Sequence, residues 1–330
     1  MRIALDAMGG DRAPDVTVQG ALDAYRELGI ETVLVGQQEV LRKRLEAAGG
    51  APRMEIVDAT EVIGMDEHPA AAVRRKKHSS IVVGVRLVKE GRADAFLSAG
   101  NSGAIMAAAL LVLGRCRGVD RPCIGTPIPT LRGTTLLVDA GAITDPRPEN
   151  LLEWARMGSI YMSALQQGAA VTVGLLSNGE EETKGNALTL EAHALLKTSG
   201  FSFHGNVEGR DILRGTVDVV VTDGFTGNVA LKTIEGTAET LRRIIREEVT
   251  RGVVSKAAAL VLRPAFARVG KRLDYAEVGG APLLGVNGTV FISHGRSNAN
   301  AIKNALRVAR EAAQHDVAGA ISTAAPPQED

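Results

Sequence analysis

Cysteine is nearly absent. Cys116 and Cys123 are the only two in 330 residues. Two thiols build no disulfide framework, and no Cys-x-x-Cys or Cys/His spacing offers zinc ligands. Both are expected as packing residues in a reduced compartment. Aromatics are scarce, at 3%, which leaves few stacking platforms for single-stranded nucleic acid. Charge of one sign is missing too. The 38 Lys and Arg balance the 38 Asp and Glu, which argues against whole-molecule attraction to nucleic acid and leaves only local basic patches. No apolar run reaches the roughly 20 residues of a membrane span. The start of the chain meets Asp6 at once and does not read as a signal peptide. Together these absences point to a cytoplasmic protein. No repeat of solenoid period and no low-complexity block is present.

What is there reads as an enzyme core. Hydrophobic residues make up 45% and charged residues 23%, enough to bury a large interior. Short apolar, β-branched runs at 3–7, 32–35, 54–57, 95–98, 135–139, 170–176, 217–222 and 289–293 predict strands. Their continuity fits strands covered on both faces of a mostly parallel sheet. Helices are predicted between them. One opens at Pro14 and Asp15 and runs to about Leu28, and another opens at Pro148 and Glu149 and runs through Gln166. A long one follows Thr226 and a last one follows Ser297. In the last, Ile302, Ala305, Leu306, Ala309 and Ala313 make an apolar stripe at helical spacing. The alternation predicts an α/β fold with helices on both faces of the sheet. No linker interrupts residues 1–330, which read as a single unit with no legible boundary. Only the tail, 324–330, reads as frayed.

The 37 glycines cluster where strands end. In open α/β sheets, ligands sit outside the carboxyl ends of strands. The first strand ends in Asp6-Ala7-Met8-Gly9-Gly10-Asp11. The strand ending at Ser98 gives Ala99-Gly100-Asn101-Ser102-Gly103, and that ending at Thr222 gives Asp223-Gly224-Phe225-Thr226-Gly227-Asn228. The last two share one device: strand, Gly-x-[Ser/Thr]-Gly, helix. Glycine lets a ligand approach the backbone, a helix start offers unpaired N–H groups, and a hydroxyl can donate to an oxyanion. That combination describes an anion cradle suited to phosphate. The plainer alternative is a pair of tight strand-to-helix turns; two matched loops, each with Asn and a hydroxyl, favour the cradle. Neither loop is Gly-x-Gly-x-x-Gly, so a dinucleotide fingerprint is absent. The triphosphate P-loop and the Gly-x-Ser-x-Gly nucleophile elbow are absent as well.

A phosphate also needs cations. Arg74-Arg75-Lys76-Lys77 precedes His78, Ser79 and Ser80, and either serine can cap a helix, bringing basic residues beside its start. The alternative is a solvated charged turn. Lys184, in Ser177-Asn178-Gly179-Glu180-Glu181-Glu182-Thr183-Lys184-Gly185-Asn186, lies on another strand-end loop and could reach a developing oxyanion. Its alternative is a surface salt bridge to one of the three glutamates. His294 closes the last strand as an acid, a base or a structural hydrogen bonder. Asp6, Asp11, Asp139 and Asp223 stand at strand ends, where carboxylates more often hold loop amides than metals, so no metal is assigned.

Taken together, these loops resemble the phosphate acyltransferase family of bacterial phospholipid synthesis. The elements run from the Asp6–Asp11 turn with Pro14, through Arg75-Lys76-Lys77 with Ser79-Ser80 and residues 98–104, to Asp139-Ala140-Gly141-Ala142 and Met157–Tyr161. They continue with residues 174–179 and Glu182, Lys184 and Gly185, then Asn206–Asp211, then residues 222–228 with Leu231-Lys232. Gly279–Gly288 and His294-Gly295 complete the set. Ser102 stands where Thr is usual, Ile143 where Asn often follows, and Arg296 where Ser is usual. The resemblance implies a fold like isopropylmalate dehydrogenase and phosphotransacetylase, in a homodimer with a cleft between two lobes. It implies acyl transfer from acyl-[acyl-carrier protein] to inorganic phosphate, without a cofactor, the acyl phosphate then feeding a membrane glycerol-3-phosphate acyltransferase.

The chemistry fits those residues. Inorganic phosphate is already anionic and attacks a thioester without a strong protein nucleophile; the enzyme must position it and stabilise the tetrahedral oxyanion. Lys184, Asn228 and Asn101 are the expected catalytic groups. Gly9, Gly10, Ser79, Ser98, Gly100, Ser102, Gly103, Asp223, Gly224, Thr226, Gly227 and His294 are the expected phosphate or substrate contacts. Residues 249–273 carry six basic side chains and, up to Leu273, no acidic one. With Val254, Ala257, Ala258, Val261 and Ala265 on one face, they predict a basic amphipathic helix that Pro264 should kink or end. Val254, Lys256, Ala258, Val261, Leu262 and Arg263 are its expected membrane or carrier contacts; in the family, this region is associated with peripheral membrane binding. The alternative is an ordinary packed helix or a dimer contact. Rival functions are a phosphotransacetylase-type enzyme using acyl-coenzyme A, a dehydrogenase of the isopropylmalate type, and a non-catalytic membrane scaffold.

Overall fold

The computed structural model describes residues 1–48, 54–273 and 275–324, with 271–273, 275 and 276 by backbone only. Of the tail expected to fray, residues 325–330 lie outside the described residues. The strands are β1 (Arg2–Asp6), β2 (Glu31–Gly36), β3 (Ile56–Asp58), β4 (Ala95–Ser98), β5 (Cys123–Thr130), β6 (Gly133–Val138), β7 (Thr172–Leu176), β8 (Ser202–Val207), β9 (Val219–Val221), β10 (Ala281–Leu284) and β11 (Thr289–Ile292). The helices are α1 (Asp15–Leu28), α2 (Gln38–Ala47), α3 (Pro69–Arg75), α4 (Ser80–Lys89), α5 (Ser102–Val112), α6 (Pro148–Leu165), α7 (Ala187–Lys197), α8 (Gly209–Arg214), α9 (Gly224–Val249), α10 (Val253–Leu273), α11 (Tyr275–Val278), α12 (Ala299–Gln314) and α13 (Val317–Ala324).

The strands form one sheet in the order β3-β2-β1-β4-β11-β10-β5-β6-β9-β7-β8. Pairing is mostly parallel, as expected. The exceptions are consecutive: β11 with β10, β10 with β5, and β5 with β6 are all antiparallel. Three reversals in a row mean that β1, β2, β4 and β11 run opposite to β6, β9, β7 and β8. Each block keeps its own carboxyl edge.

The apolar runs are strands because both their faces are covered. Residues 95–98 of β4 and 219–221 of β9 are wholly buried. One core cluster joins Leu5, Leu22, Trp154, Tyr161, Phe291 and Leu306 on one face of the sheet. A second joins Ile81, Val85, Phe96 and Ile105 on the other. Each fully buried large side chain contributes about 2 to 3 kcal/mol. The stripe predicted on α12 is buried at Ile302, Ala305, Leu306 and Ala309 and packs against α1.

Three strands were not predicted, and the reasons are local. β5 carries Pro127 and Pro129, which read against an interior strand. On β5, β10 reaches only Cys123 and Ile124, so from Gly125 onward the ladder of β5 is with β6 alone. Two prolines two residues apart put their missing N–H groups on the same, unpaired side. β8 closes one end of the sheet and alternates exposure, so its run is polar. β10 is four residues long, follows Gly279-Gly280 and contains Pro282.

Candidate active site

The first glycine loop leaves β4 at Ser98 and enters α5 at Ser102. It rests on Asp6, the last residue of the neighbouring β1. Ser98 Oγ donates to Asp6 Oδ2 at 2.6 Å and accepts from the Gly100 N–H at 3.0 Å. Asp6 Oδ1 accepts from Met8 N, and burial pushes this carboxyl above its usual value. Gly9 is required here, because a Cβ would lie 2.5 Å from Asp6 Oδ2 and 2.8 Å from Gly100 N. Asn101 caps α5 through Ala104 N, while its Nδ2 donates to the carbonyls of Gly64, Met65 and Glu67. Ser79 caps α4 through Val82 N and is fully buried. Gly10 lies against Ala99 and Gly295, and Gly103 against Pro69. Ser79, Ser98 and Asn101, expected to grip phosphate or take part in the reaction here, are therefore already bonded within the fold. Ser102 is exposed, and its hydroxyl carries no bond among the described residues.

The second loop leaves β9 and enters α9, and it too rests on a buried aspartate. Asp139, which follows β6, accepts N–H bonds from Ile124, Gly141, Ala142 and Ile143. Burial nonetheless raises its pKa to about 6. The first turn of α9 lies directly on this segment. Gly224 N donates to the Ile143 carbonyl, and a Cβ on Gly227 would collide with the Asp139 carbonyl oxygen. Asp223 caps the helix through Thr226 N at 2.8 Å. Asn228 Nδ2 donates to the Ala140 carbonyl at 3.2 Å. Thr226 is exposed, and its hydroxyl has no partner among the described residues.

Lys184 belongs to the second loop's edge. β7 pairs with β9 in parallel, Leu175 opposite Val221, so residues 177–186 and 222–228 leave adjacent strands side by side. None of the three glutamates takes the lysine: Glu180 pairs with Arg210 and Glu182 with Lys197. Lys184 is exposed, with no ion pair among the described residues. The surface salt bridge weighed from the sequence is therefore not made. β4 and β9 stand five positions apart in the sheet order and run in opposite senses. No hydrogen bond or ion pair among the described residues joins loop 98–104 to loop 222–228.

The basic run splits. Glu67 takes both Arg75 and Lys76, and its carboxyl is lowered to about 2, chiefly by the hydrogen bond from Lys76 and then by the Gly64 N–H. Arg74 and Lys77 keep exposed charges. Nothing in the sequence spacing marks Glu67 as their neighbour's partner; the contact is made by the turn that Asn101 holds. His294 is exposed at the end of β11, and its Nδ1 accepts from Arg296 N. Three of the four strand-end aspartates, Asp6, Asp139 and Asp223, hold loop amides.

The basic segment is a helix that touches α9 and β5 but leaves most of its described side chains exposed. Val253, Val254 and Val261 of α10 are at least 80% exposed, and Lys256, Ala258, Leu262 and Arg263 are exposed as well. These side chains are therefore not buried against the rest of this chain. Pro264 lies inside α10, which continues to Leu273. The side chains of Lys271 and Arg272, counted with this segment, lie outside the described residues. α10 packs on α9, whose Leu241, Ile244 and Ile245 are about half exposed. No helix among the described residues is long and apolar enough to cross a membrane.

Residues 1–320 match the family described as "Fatty acid synthesis protein". The chain belongs to this family. A phosphate acyltransferase from Heliobacterium modesticaldum is 54% identical over 323 residues, covering 97% of this chain and 96% of the relative. Among solved structures, a phosphotransacetylase from Streptococcus pyogenes superposes with a TM-score of 0.63 at 18% identity, over 94% of each chain. A 4-hydroxythreonine-4-phosphate dehydrogenase from Klebsiella pneumoniae gives 0.56 at 14% identity, over 95% of this chain and 99% of that one. These two establish the fold, and the family's fold is the one expected from the sequence.

Proposed function

We propose that this chain transfers a fatty acyl group from acyl-[acyl-carrier protein] to inorganic phosphate, yielding acyl phosphate for phospholipid synthesis. The observation that carries the reading is the identity of more than half over nearly the whole length with a phosphate acyltransferase. The arrangement of two side chains supports it. Lys184 and Thr226 leave adjacent strands with their polar ends uncommitted, next to the start of α9.

In this reading a phosphate oxygen attacks the thioester carbon, the carbonyl oxygen becomes an oxyanion, and collapse expels the carrier thiolate. Lys184 holds negative charge on phosphate or oxyanion, Thr226 and the α9 N-terminus donate to it, and Asn228 completes the edge. The Ser102 hydroxyl and the start of α5 serve the acyl donor, and the rest of that loop keeps them in place. Asn101, first expected as a catalytic group, is read as a positioning residue for residues 64–67.

The exposed apolar and basic face of α10 (Val254, Lys256, Ala258, Val261, Leu262 and Arg263) is read as a peripheral membrane contact. A homodimer in the cytoplasm fits the same picture, delivering acyl phosphate to a membrane glycerol-3-phosphate acyltransferase. Binding to anionic vesicles in a flotation assay, weakening with salt, is expected; no flotation at low salt rejects the membrane contact.

The deciding experiment is phosphate-dependent release of free carrier from a purified long-chain acyl-carrier substrate, with acyl phosphate trapped as hydroxamate. Release without phosphate, or none with it, overturns the reading. Faster turnover of acyl-coenzyme A than of acyl-carrier substrate replaces it with a phosphotransacetylase-type activity.

A further inference from the structure

Lys184 lies on an irregular, exposed loop, and a cation that must meet a small anion cannot wander. Two buried polar side chains meet against this loop. His193 of α7 and Asn206 of β8 are 6% and 4% exposed. Asn206 Nδ2 donates to the Glu181 carbonyl at 2.8 Å and to the Lys184 carbonyl at 3.5 Å. Its Oδ1 lies 3.0 Å from His193 Nδ1. Since the amide nitrogen faces two carbonyls, the oxygen must accept, so the imidazole carries its proton on Nδ1 and donates. The Phe203 ring fixes the imidazole edge-on at 5.1 Å. His193 Nε2 faces Glu182 at 3.9 Å, and Glu182 also takes Lys197 of α7. The Lys184 N–H closes a turn onto the same Glu181 carbonyl, and Asn186 caps α7 through Thr189 N.

An apolar pair would fill this space without the desolvation that a buried amide and imidazole carry. What the polar pair adds is a fixed address for the loop backbone. We propose that Asn206 and His193 are positioning residues for Lys184: Asn206 clamps the backbone at Glu181 and Lys184, and His193 locks the orientation of the clamping amide. The inference rests on Lys184 being the cation that serves the reaction.

Turnover and phosphate KM are measured for Asn206→Ala, His193→Leu and His193→Asn, each alone and combined with Lys184→Ala, below the thermal midpoint of every variant. Asn206→Ala and His193→Leu are expected to lower kcat/KM about tenfold, the scale of a small misplacement. His193→Asn puts an amide donor where Nδ1 stood and is expected to recover most of that loss. Once Lys184 is alanine, neither Asn206→Ala nor His193→Leu should lower the rate further. Equal losses with and without Lys184 overturn the clamp and leave the lysine standing. A Lys184→Ala variant with unchanged kinetics overturns the reading of the lysine, and the clamp with it. If Asn206→Ala does not fold, the two His193 variants decide: equal losses for Leu and Asn overturn the proposal.

Discussion

The two glycine loops carry the same local signal, and the fold uses them differently. Each follows a strand, rests on a buried aspartate and opens a helix capped by an Asx side chain, Asn101 in one and Asp223 in the other. In the first, the cap is an amide, and its nitrogen is drawn into three carbonyls of residues 64–67. In the second, the cap is a carboxylate with no proton to donate, and the adjacent strand instead brings in the loop of Lys184. Both loops have their amide and cap committed to holding the chain and keep one exposed hydroxyl, Ser102 in the first and Thr226 in the second; what the second adds is the exposed cation Lys184 on the loop beside it. A Gly-x-[Ser/Thr]-Gly turn thus specifies a helix start, and the neighbour supplied by the sheet order decides what that start does.

The contrast is broken most directly at Lys184. Lys184→Ala should lower turnover with phosphate by about 10²-fold or more, the usual loss of an oxyanion donor, with an unchanged thermal midpoint. Wild-type kinetics in that variant would remove the second loop's edge from the mechanism. The converse holds at Asn101. Asn101→Ala loses a helix cap and strands three carbonyls, at a cost of about 2 to 4 kcal/mol in denaturant unfolding. Turnover per folded molecule should change less than it does for Lys184→Ala. A stable but inactive Asn101→Ala protein would reverse the assignment of the two loops.

The supporting aspartates sharpen the comparison through pH. The Asp139 pKa is raised from 3.8 to about 6 by burial, against the pull of four N–H donors. A raised folded-state pKa contributes stability that is fully present below the unfolded value and lost as pH rises through the folded one. Between about pH 4 and 6 this group should therefore withdraw about 2 to 3 kcal/mol as pH increases. Asp139→Asn removes that slope. Unfolding titrations across this window check it: an identical pH dependence in the two proteins would show that the site does not titrate there.

Much of this fold was legible, because strands buried on both faces leave continuous apolar runs and α12 leaves a stripe of period 3.6. β5 was not, since its prolines are tolerated only where β10 stops, which no local pattern records. The site was half legible. Glycines, caps and Lys184 could be located, but not whether a polar group was free. Asn101 reads like a ligand until the 64–67 turn appears beside it, and Arg75 and Lys76 read like phosphate cations until Glu67 does. Free and committed groups differ only in partners that the folded chain brings up, Glu67 from the preceding turn for Arg75 and Lys76, and the carbonyls of 64–67 from more than thirty residues away for Asn101.

The smallest expected effect compares the two hydroxyls that remain. Thr226→Val keeps the shape of the α9 start and removes one donor at the edge that also carries Lys184. Loss of one hydrogen bond to a charged group is about 1.5 to 3 kcal/mol when the group is buried with its ligand, so an exposed site should fall near the lower end, about tenfold in kcat/KM for phosphate. Ser102→Ala removes the matching hydroxyl from a loop whose other polar groups are already bonded. Its effect should appear in the KM for the acyl donor and leave the KM for phosphate within twofold, roughly the scatter expected of an exposed hydrogen bond. Equal losses in phosphate KM from both variants would mean that the two cradles, five strands apart in the sheet order, serve the same anion.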